Sequence, residues 1–180
     1  MNKLQEKTLS KSYKYQGKII NVRLDEAKLA NDMVALREVV EHPGGVGIAL
    51  EDKDGKYFMV RQFRYGQMME TLEFPAGKKE VGEDALVTAM REITEETGYT
   101  AENWIYLGEM APTPAYDTER IAMYHATVKD YVGQHFDEDE NIILEKYSID
   151  ELVDMIMDHK IIDAKTIGMT FMVKELKNRR

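Results

Sequence analysis

A chain of 180 residues is long enough to bury one hydrophobic core, with room for a small attached subdomain. Its 43% hydrophobic and 32% charged residues are those of an ordinary globular protein, and the absence of cysteine excludes disulfides, thiolate metal sites and a cysteine nucleophile. A formal net charge of −9 argues against a broad nucleic-acid surface, which needs clustered Lys and Arg, and no run of about 18 apolar residues is present to span a membrane.

The first 18 residues are polar and lack the apolar centre of a secretory signal, so a cytoplasmic location is expected. Residues 12–40 read as extended. The run 19–24 (Ile-Ile-Asn-Val-Arg-Leu) is rich in β-branched residues, and 27–29 and 33–40 flank the turn-like pair Asn31-Asp32 as a hairpin. Tyr13 and Tyr15 lie on this early stretch, where aromatic residues more often pack than stack on a base. His42-Pro43-Gly44-Gly45 breaks the pattern. A mostly apolar strand at 46–51 should be buried and pair with 56–63 across Asp54-Gly55. Residues 65–80, with Pro75 and Gly77 as breakers, read as irregular.

A helix is expected over 83–97, ended by Gly98 at its C-terminal cap. Strands at 104–109 and 120–128 are separated by Ala111-Pro112-Thr113-Pro114. The acidic run Asp137-Glu138-Asp139-Glu140 is a loop before a short strand at 142–145. Helices near 148–158 and 163–177 close the chain, with Ser148 (Glu151 three residues on) and Asp163 as N-caps. This order predicts an α/β fold in which helices cover a mixed sheet, with a small antiparallel β-subdomain over 1–42 and the main domain over 43–180.

Chemistry concentrates in residues 77–99, GKKEVGEDALVTAMREITEETGY. At 100° per residue, Ala85, Leu86, Ala89, Met90 and Ile93 form an apolar stripe. Glu92, Glu95 and Glu96 share an adjacent face, with Arg91 four positions before Glu95. Like charges at these spacings repel by a few tenths of a kcal/mol per pair. The helix dipole disfavours anions in the last turn by roughly 0.3–1 kcal/mol each. A solvated face would avoid that cost with Lys or Gln, whereas a hard divalent cation among the carboxylates would repay it.

The stretch resembles the Nudix box, G-x5-E-x7-R-E-U-x-E-E-x-G-U with U bulky and apolar or aromatic. It matches at Gly77, Glu83, Arg91-Glu92, Ile93, Glu95-Glu96, Gly98 and Tyr99. A chance match in a chain of this length is on the order of one in ten million, so spacing rather than acidity identifies the chain as similar to Nudix hydrolases. The resemblance extends from about Arg37 into the C-terminal helix. It implies a Nudix-like α/β/α sandwich and Mg2+-dependent attack of water on the pyrophosphate of a nucleoside diphosphate derivative, Mn2+ being able to substitute. The metal ligands implied are Glu92 and Glu96, Glu95 as ligand or helper, and the backbone carbonyl of Ala76. Arg91 would orient the carboxylates, and Glu83 would support the loop or reach the metal through water.

Outside the box, the chain looks most like the ADP-ribose pyrophosphatase branch. Val60-Arg61-Gln62-Phe63-Arg64-Tyr65 is similar to the strand that leads an arginine to substrate, here Arg64. Glu73-Phe74-Pro75-Ala76-Gly77 is similar to the lead-in to the box, with Glu73 near nucleotide or metal shell. Pro114, 16 residues after Gly98, stands where a proline accompanies ADP-ribose specificity. The acidic loop implies Glu138 as general base and Glu140 nearer the metals. The N-terminal subdomain resembles one that forms swapped homodimers, which would make Arg37 a phosphate contact in trans; an exposed strand charge is an equal reading. Tyr116, where many relatives have a nearby glycine, keeps GDP-mannose or another nucleotide sugar open as substrate. A binding module without catalysis is disfavoured because every box carboxylate is present, and RNA decapping by the acidity of the chain. His42, His125, His135 and His159 show no metal-ligand spacing.

Overall fold

β-Branched runs and tight turns organise the first part of the chain into three antiparallel strands, β1 (Lys7–Gln16), β2 (Asn21–Lys28) and β3 (Val34–Glu41), in the order β1-β2-β3. The structure, a computed structural model, describes residues 4–135 and 141–179. It divides into two units: the chain up to Gly44 with Ala111–Arg120, and Gly45–Met110 with Ile121–Arg180.

In the first unit the expected hairpin joins β2 to β3. Asp32 turns it at φ 65°, a left-handed conformation that short polar side chains tolerate, and the Asn31 side chain accepts the Met33 N–H. The segment 111–120 adds to the sheet edge: the Val40 N–H donates to Tyr116 O at 2.8 Å, and the Thr118 N–H donates to Val40 O at 3.0 Å. β1 is exposed along its whole length, Tyr13 and Tyr15 included, so neither tyrosine packs into a core of this chain.

The second unit is a mixed sheet of β4 (Gly45–Glu51), β5 (Tyr57–Arg64), β6 (Met69–Glu73), β7 (Ala76–Lys78), β8 (Tyr99–Met110), β9 (Ile121–Tyr131) and β10 (Ile142–Tyr147). The order is β10-β5-β4-β9-β8, with β6 beside β5 and β7 beside β4; β4 runs parallel to β9. Three helices, α1 (Ala85–Thr97), α2 (Ile149–Met157) and α3 (Ala164–Asn178), cover its two faces. Alternation along β4 shows how: Val46, Ile48 and Leu50 pack with Ala89 and Ile93 of α1, whereas Ala49 packs with Met169 and Val173 of α3. A strand buried on both faces reads as the continuous apolar run seen at 46–51. The result is the expected α/β/α sandwich. Among the described residues no helix is long and apolar enough to cross a membrane.

Two local expectations change. The stretch 65–80, expected to be irregular, contains β6 and β7. These strands are too short to show a period of their own and exist because β5 and β4 pair with them. On α1, Met90 is 44% exposed, and Thr88 and Thr97 are buried instead. Their hydroxyls hydrogen-bond to Asp84 O and Ile93 O, which removes the polar cost of burying them.

α1 begins at Ala85, two residues later than expected, because the Asp84 carboxylate accepts the N–H groups of Leu86 and Val87 and so acts as the N-cap. Asp84→Ala should therefore lower unfolding stability by about 1 kcal/mol, read as a lower urea midpoint at unchanged slope. An unchanged midpoint would show that the cap carries no load.

Candidate active site

The site begins with α1 and the strand beside it. β7 pairs with β4 (Val46↔Gly77, Gly47↔Ala76), and α1 lies against both strands. The Ala76 N–H donates to Glu96 Oε2 at 3.2 Å, and Glu96 is 4% exposed. A Cβ placed on Gly77 would meet Glu92 Cδ at 1.8 Å, so in this arrangement the first box glycine leaves room for a box carboxylate that a side chain would displace. Gly98, at φ 74°, closes the helix and donates to Thr94 O.

Arg91 gathers the rest. Its Nη1 lies 3.0 Å from both Glu92 Oε1 and Glu95 Oε2, Nε and Nη2 reach the Glu83 carboxylate at 3.4 and 3.3 Å, and Nη2 also donates to Lys78 O. The Arg91 hydrogen bond, helped by the Glu80 N–H, pulls the Glu83 pKa down to about 2. Partial burial opposes charge on Arg91, but its bond to Glu83 and the charges of Glu92, Glu83 and Glu95 outweigh that and raise its pKa. Four carboxylates thus stand against one guanidinium, and the local excess is negative.

The donor chemistry fits a hard divalent cation: carboxylate oxygens of Glu92, Glu95 and Glu96 beside the backbone of Ala76, with no sulfur or imidazole. In this structure the carboxylates of Glu92 and Glu95 face Arg91 and that of Glu96 faces the Ala76 N–H. Among the described residues no three acidic or imidazole groups already converge on a common metal position. Glu138 and Glu140 lie outside the described residues.

A second cluster forms around Glu73, which is 2% exposed. Arg64 Nε and Nη2 donate to its two oxygens at 2.7 Å each, Thr71 Oγ1 donates at 2.6 Å, and Lys165 Nζ bonds to Oε2. Burial alone would raise the Glu73 pKa. The Arg64 hydrogen bond and the charges of Lys165 and Arg64 overcome it and bring the value to about 2. Arg64 and Glu73, expected as separate substrate contacts, are therefore partners of each other. Thr71, Lys165 and Thr166 (whose hydroxyl accepts the Phe74 N–H at 3.0 Å) went unread in the sequence. Lys165 offered a signal: a cation in the first turn of a helix opposes the dipole.

The remaining expected residues belong to the first unit. Arg37 on β3 forms a two-point ion pair with Glu6 at 2.8 and 3.0 Å and donates to Leu36 O. Pro114 sits in a turn in which the Asp117 N–H donates to Thr113 O. Tyr116, two residues on, lines a cavity of about 540 Å³ with Val22, Leu24, Val40 and the charged Lys14, Arg23 and Glu38.

Residues 41–167 match the NUDIX domain family. The chain is 36% identical over 170 residues to a methanol dehydrogenase activator of Bacillus methanolicus, covering 93% of this chain and 92% of the relative. It is 33% identical over 168 residues to an ADP-ribose pyrophosphatase of Bacillus subtilis (strain 168), covering 92% and 91%. A crystal structure of an ADP compounds hydrolase superposes with a TM-score of 0.84 at 21% identity, over 99% of this chain and 98% of that one.

Because the Glu73 pKa is depressed from its ordinary value of 4.5 to about 2, ionised Glu73 stabilises the fold fully above about pH 4.5, and the contribution fades as pH falls toward 2. The shift corresponds to about 3 kcal/mol. The stability gap between the wild type and Glu73→Gln should be widest near neutrality and shrink between pH 4.5 and 2. A gap that does not change with pH would mean that Glu73 is not held as a buried anion.

Proposed function

Because the chain belongs to the NUDIX family and is an ADP-ribose pyrophosphatase-like pyrophosphohydrolase, we propose that it hydrolyses the pyrophosphate bond of a nucleoside diphosphate sugar, cleaving ADP-ribose to AMP and ribose 5-phosphate with Mg2+. The observation that carries this reading is the complete box, folded so that Arg91 gathers Glu83, Glu92 and Glu95 while Glu96 lies under the Ala76 backbone.

Glu92, Glu95, Glu96 and the Ala76 carbonyl, joined by Glu140 from the acidic loop, would hold the metal. When bound, Mg2+ neutralises phosphate charge and lowers the pKa of the attacking water. Arg91 keeps the carboxylates mutually oriented before any cation arrives, so less reorganisation is left to the reaction. Arg64 spends two of its five N–H donors on Glu73, which leaves the Nη1 end of the fork for a phosphate oxygen. Glu138 is assigned as the base that takes the proton of the attacking water. Pro114 and Tyr116 are assigned to selection of the nucleotide sugar, with GDP-mannose the alternative substrate.

The first unit supports a homodimer. Its sheet exposes the large apolar side chains of Leu9, Tyr13, Tyr15, Val34 and Leu36, which a second copy could cover. In such a dimer Arg37 would exchange its Glu6 pair for a phosphate of the partner's substrate. A cytoplasmic location is part of this reading, and the net charge of −9 speaks against nucleic acid as a partner.

Incubation with ADP-ribose should release AMP and ribose 5-phosphate with Mg2+ and nothing without it, and Glu96→Gln should cut the rate by at least about 100-fold with the circular dichroism spectrum unchanged. A near-normal Glu96→Gln rate would remove the metal assignment; no cleavage of ADP-ribose by the folded wild type would shift the substrate to GDP-mannose or another nucleotide sugar. Light scattering should give twice the chain mass of 20.8 kDa. A monomer would take Arg37 out of the active site.

A further inference from the structure

Two helix ends in the catalytic unit, the last turn of α1 and the first turn of α3, carry charge of the wrong sign for their dipoles. At α1 the misplaced glutamates belong to the metal site described above. At α3 the misplaced charge is Lys165, in the first turn and 7% exposed. Burying an ammonium there is costly unless it is paired, and Lys165 is paired twice: with Glu73, and with Asp163 Oδ2 at 3.0 Å. Asp163, not Lys165, supplies the cap of α3, so the ammonium's role lies in its pairing with Glu73.

Its neighbours identify that role. Glu73 Oε1 accepts from Arg64 Nε and Thr71 Oγ1, and Oε2 accepts from Arg64 Nη2 and Lys165 Nζ. Four donors on two oxygens fix the carboxylate plane, and through the two-point bond that plane fixes the Arg64 guanidinium. Lys165 thus braces the edge of the carboxylate away from Thr71, while its own pair with Asp163 leaves two cations and two anions in the cluster. The Arg64 side chain is 43% exposed, so its outer end is open to solvent while its inner edge is held.

We propose that Lys165 is a positioning residue for substrate: acting through buried Glu73, it sets the orientation of Arg64 toward the diphosphate of the nucleotide. This deepens the proposed function and rests on it for the nature of the substrate. Because Lys165 acts on a contact made in ground and transition states alike, its loss is expected mainly in KM.

A mutant cycle tests it. Lys165→Met should raise KM for ADP-ribose on the order of tenfold, with kcat within about twofold. Arg64→Ala should raise KM at least as far, and adding Lys165→Met to Arg64→Ala should change KM no further. Effects that multiply in the double variant, or a fall confined to kcat, would overturn the proposal, since a purely structural lysine does not lose its effect when Arg64 is removed. Lys165→Gln, which retains a donor for Glu73 but no charge, is read by the same cycle if the Met variant does not fold. Calorimetric binding of ADP across the same four proteins separates this proposal from the catalytic reading. A wild type that binds ADP with the non-additive pattern but cleaves no ADP-ribose would sink the substrate assignment and leave Lys165 in its role. A wild type that binds no ADP would remove Arg64 as a phosphate contact, and Lys165 with it.

Discussion

Arg91 sits where four carboxylates would otherwise repel one another along and beside a single helix. Its Nη1 touches Glu92 and Glu95 at 3.0 Å, and its other edge reaches Glu83 and the Lys78 carbonyl. One guanidinium therefore ties the loop before α1 to the helix's acidic end, and its planar fork suits several oxygens at once where a lysine would offer a point charge. Without that cation the last turn of α1 would combine like-charge repulsion with an opposing dipole.

The other half of the arrangement is backbone. Residues 73–77 are held from several directions: Glu73 by Arg64, Thr71 and Lys165, the Phe74 N–H by Thr166, the Pro75 carbonyl by the Ile48 N–H at 2.8 Å, and the Ala76 N–H by Glu96. β4, buried on both faces, is the fixed reference against which this segment is placed, and Gly77 allows Glu92 to come close. The segment facing the α1 glutamates is thus a short, fixed track that limits how far their long side chains can wander.

Charge of the wrong sign marks both clusters. Glu95 and Glu96 occupy the last turn of α1, and Lys165 the first turn of α3. Each violates a local preference that a surface helix would satisfy, and each is repaid by partners: Arg91 one turn away and the Ala76 backbone 20 residues away in one case, Glu73 from 92 residues away in the other. Such breaches of local consistency are expected where a fold serves a ligand. They also reconcile a chain of net charge −9 with a phosphorylated substrate, since the cations that matter are few and placed.

Much of this was legible in the residues. The box spacing identified Arg91, Glu92, Glu95 and Glu96 because i,i+3 and i,i+4 relations on a helix are fixed by its pitch, and the caps Ser148, Asp163 and Gly98 announced helix ends because capping is a local hydrogen bond. The apolar run of β4 gave away its burial for the same local reason. What lay beyond reach was set by contacts far apart in the chain. β6 and β7 are strands only because β5 and β4 pair with them, and α1 buries Thr88 and Thr97, their hydroxyls bonded to backbone carbonyls, while Met90 is exposed. Arg64 and Glu73 are nine residues apart and looked like two separate ligands; their pairing, and the arrival of Lys165 from 92 residues away, follow from how β5, β6 and α3 pack. The sequence by itself determined the family, the helix that bears the carboxylates and the chemistry they suit, all encoded within a few turns of backbone. Only the tertiary structure decided which charges neutralise one another, because an ion pair depends on distance in space, and packing brings together what the chain keeps apart.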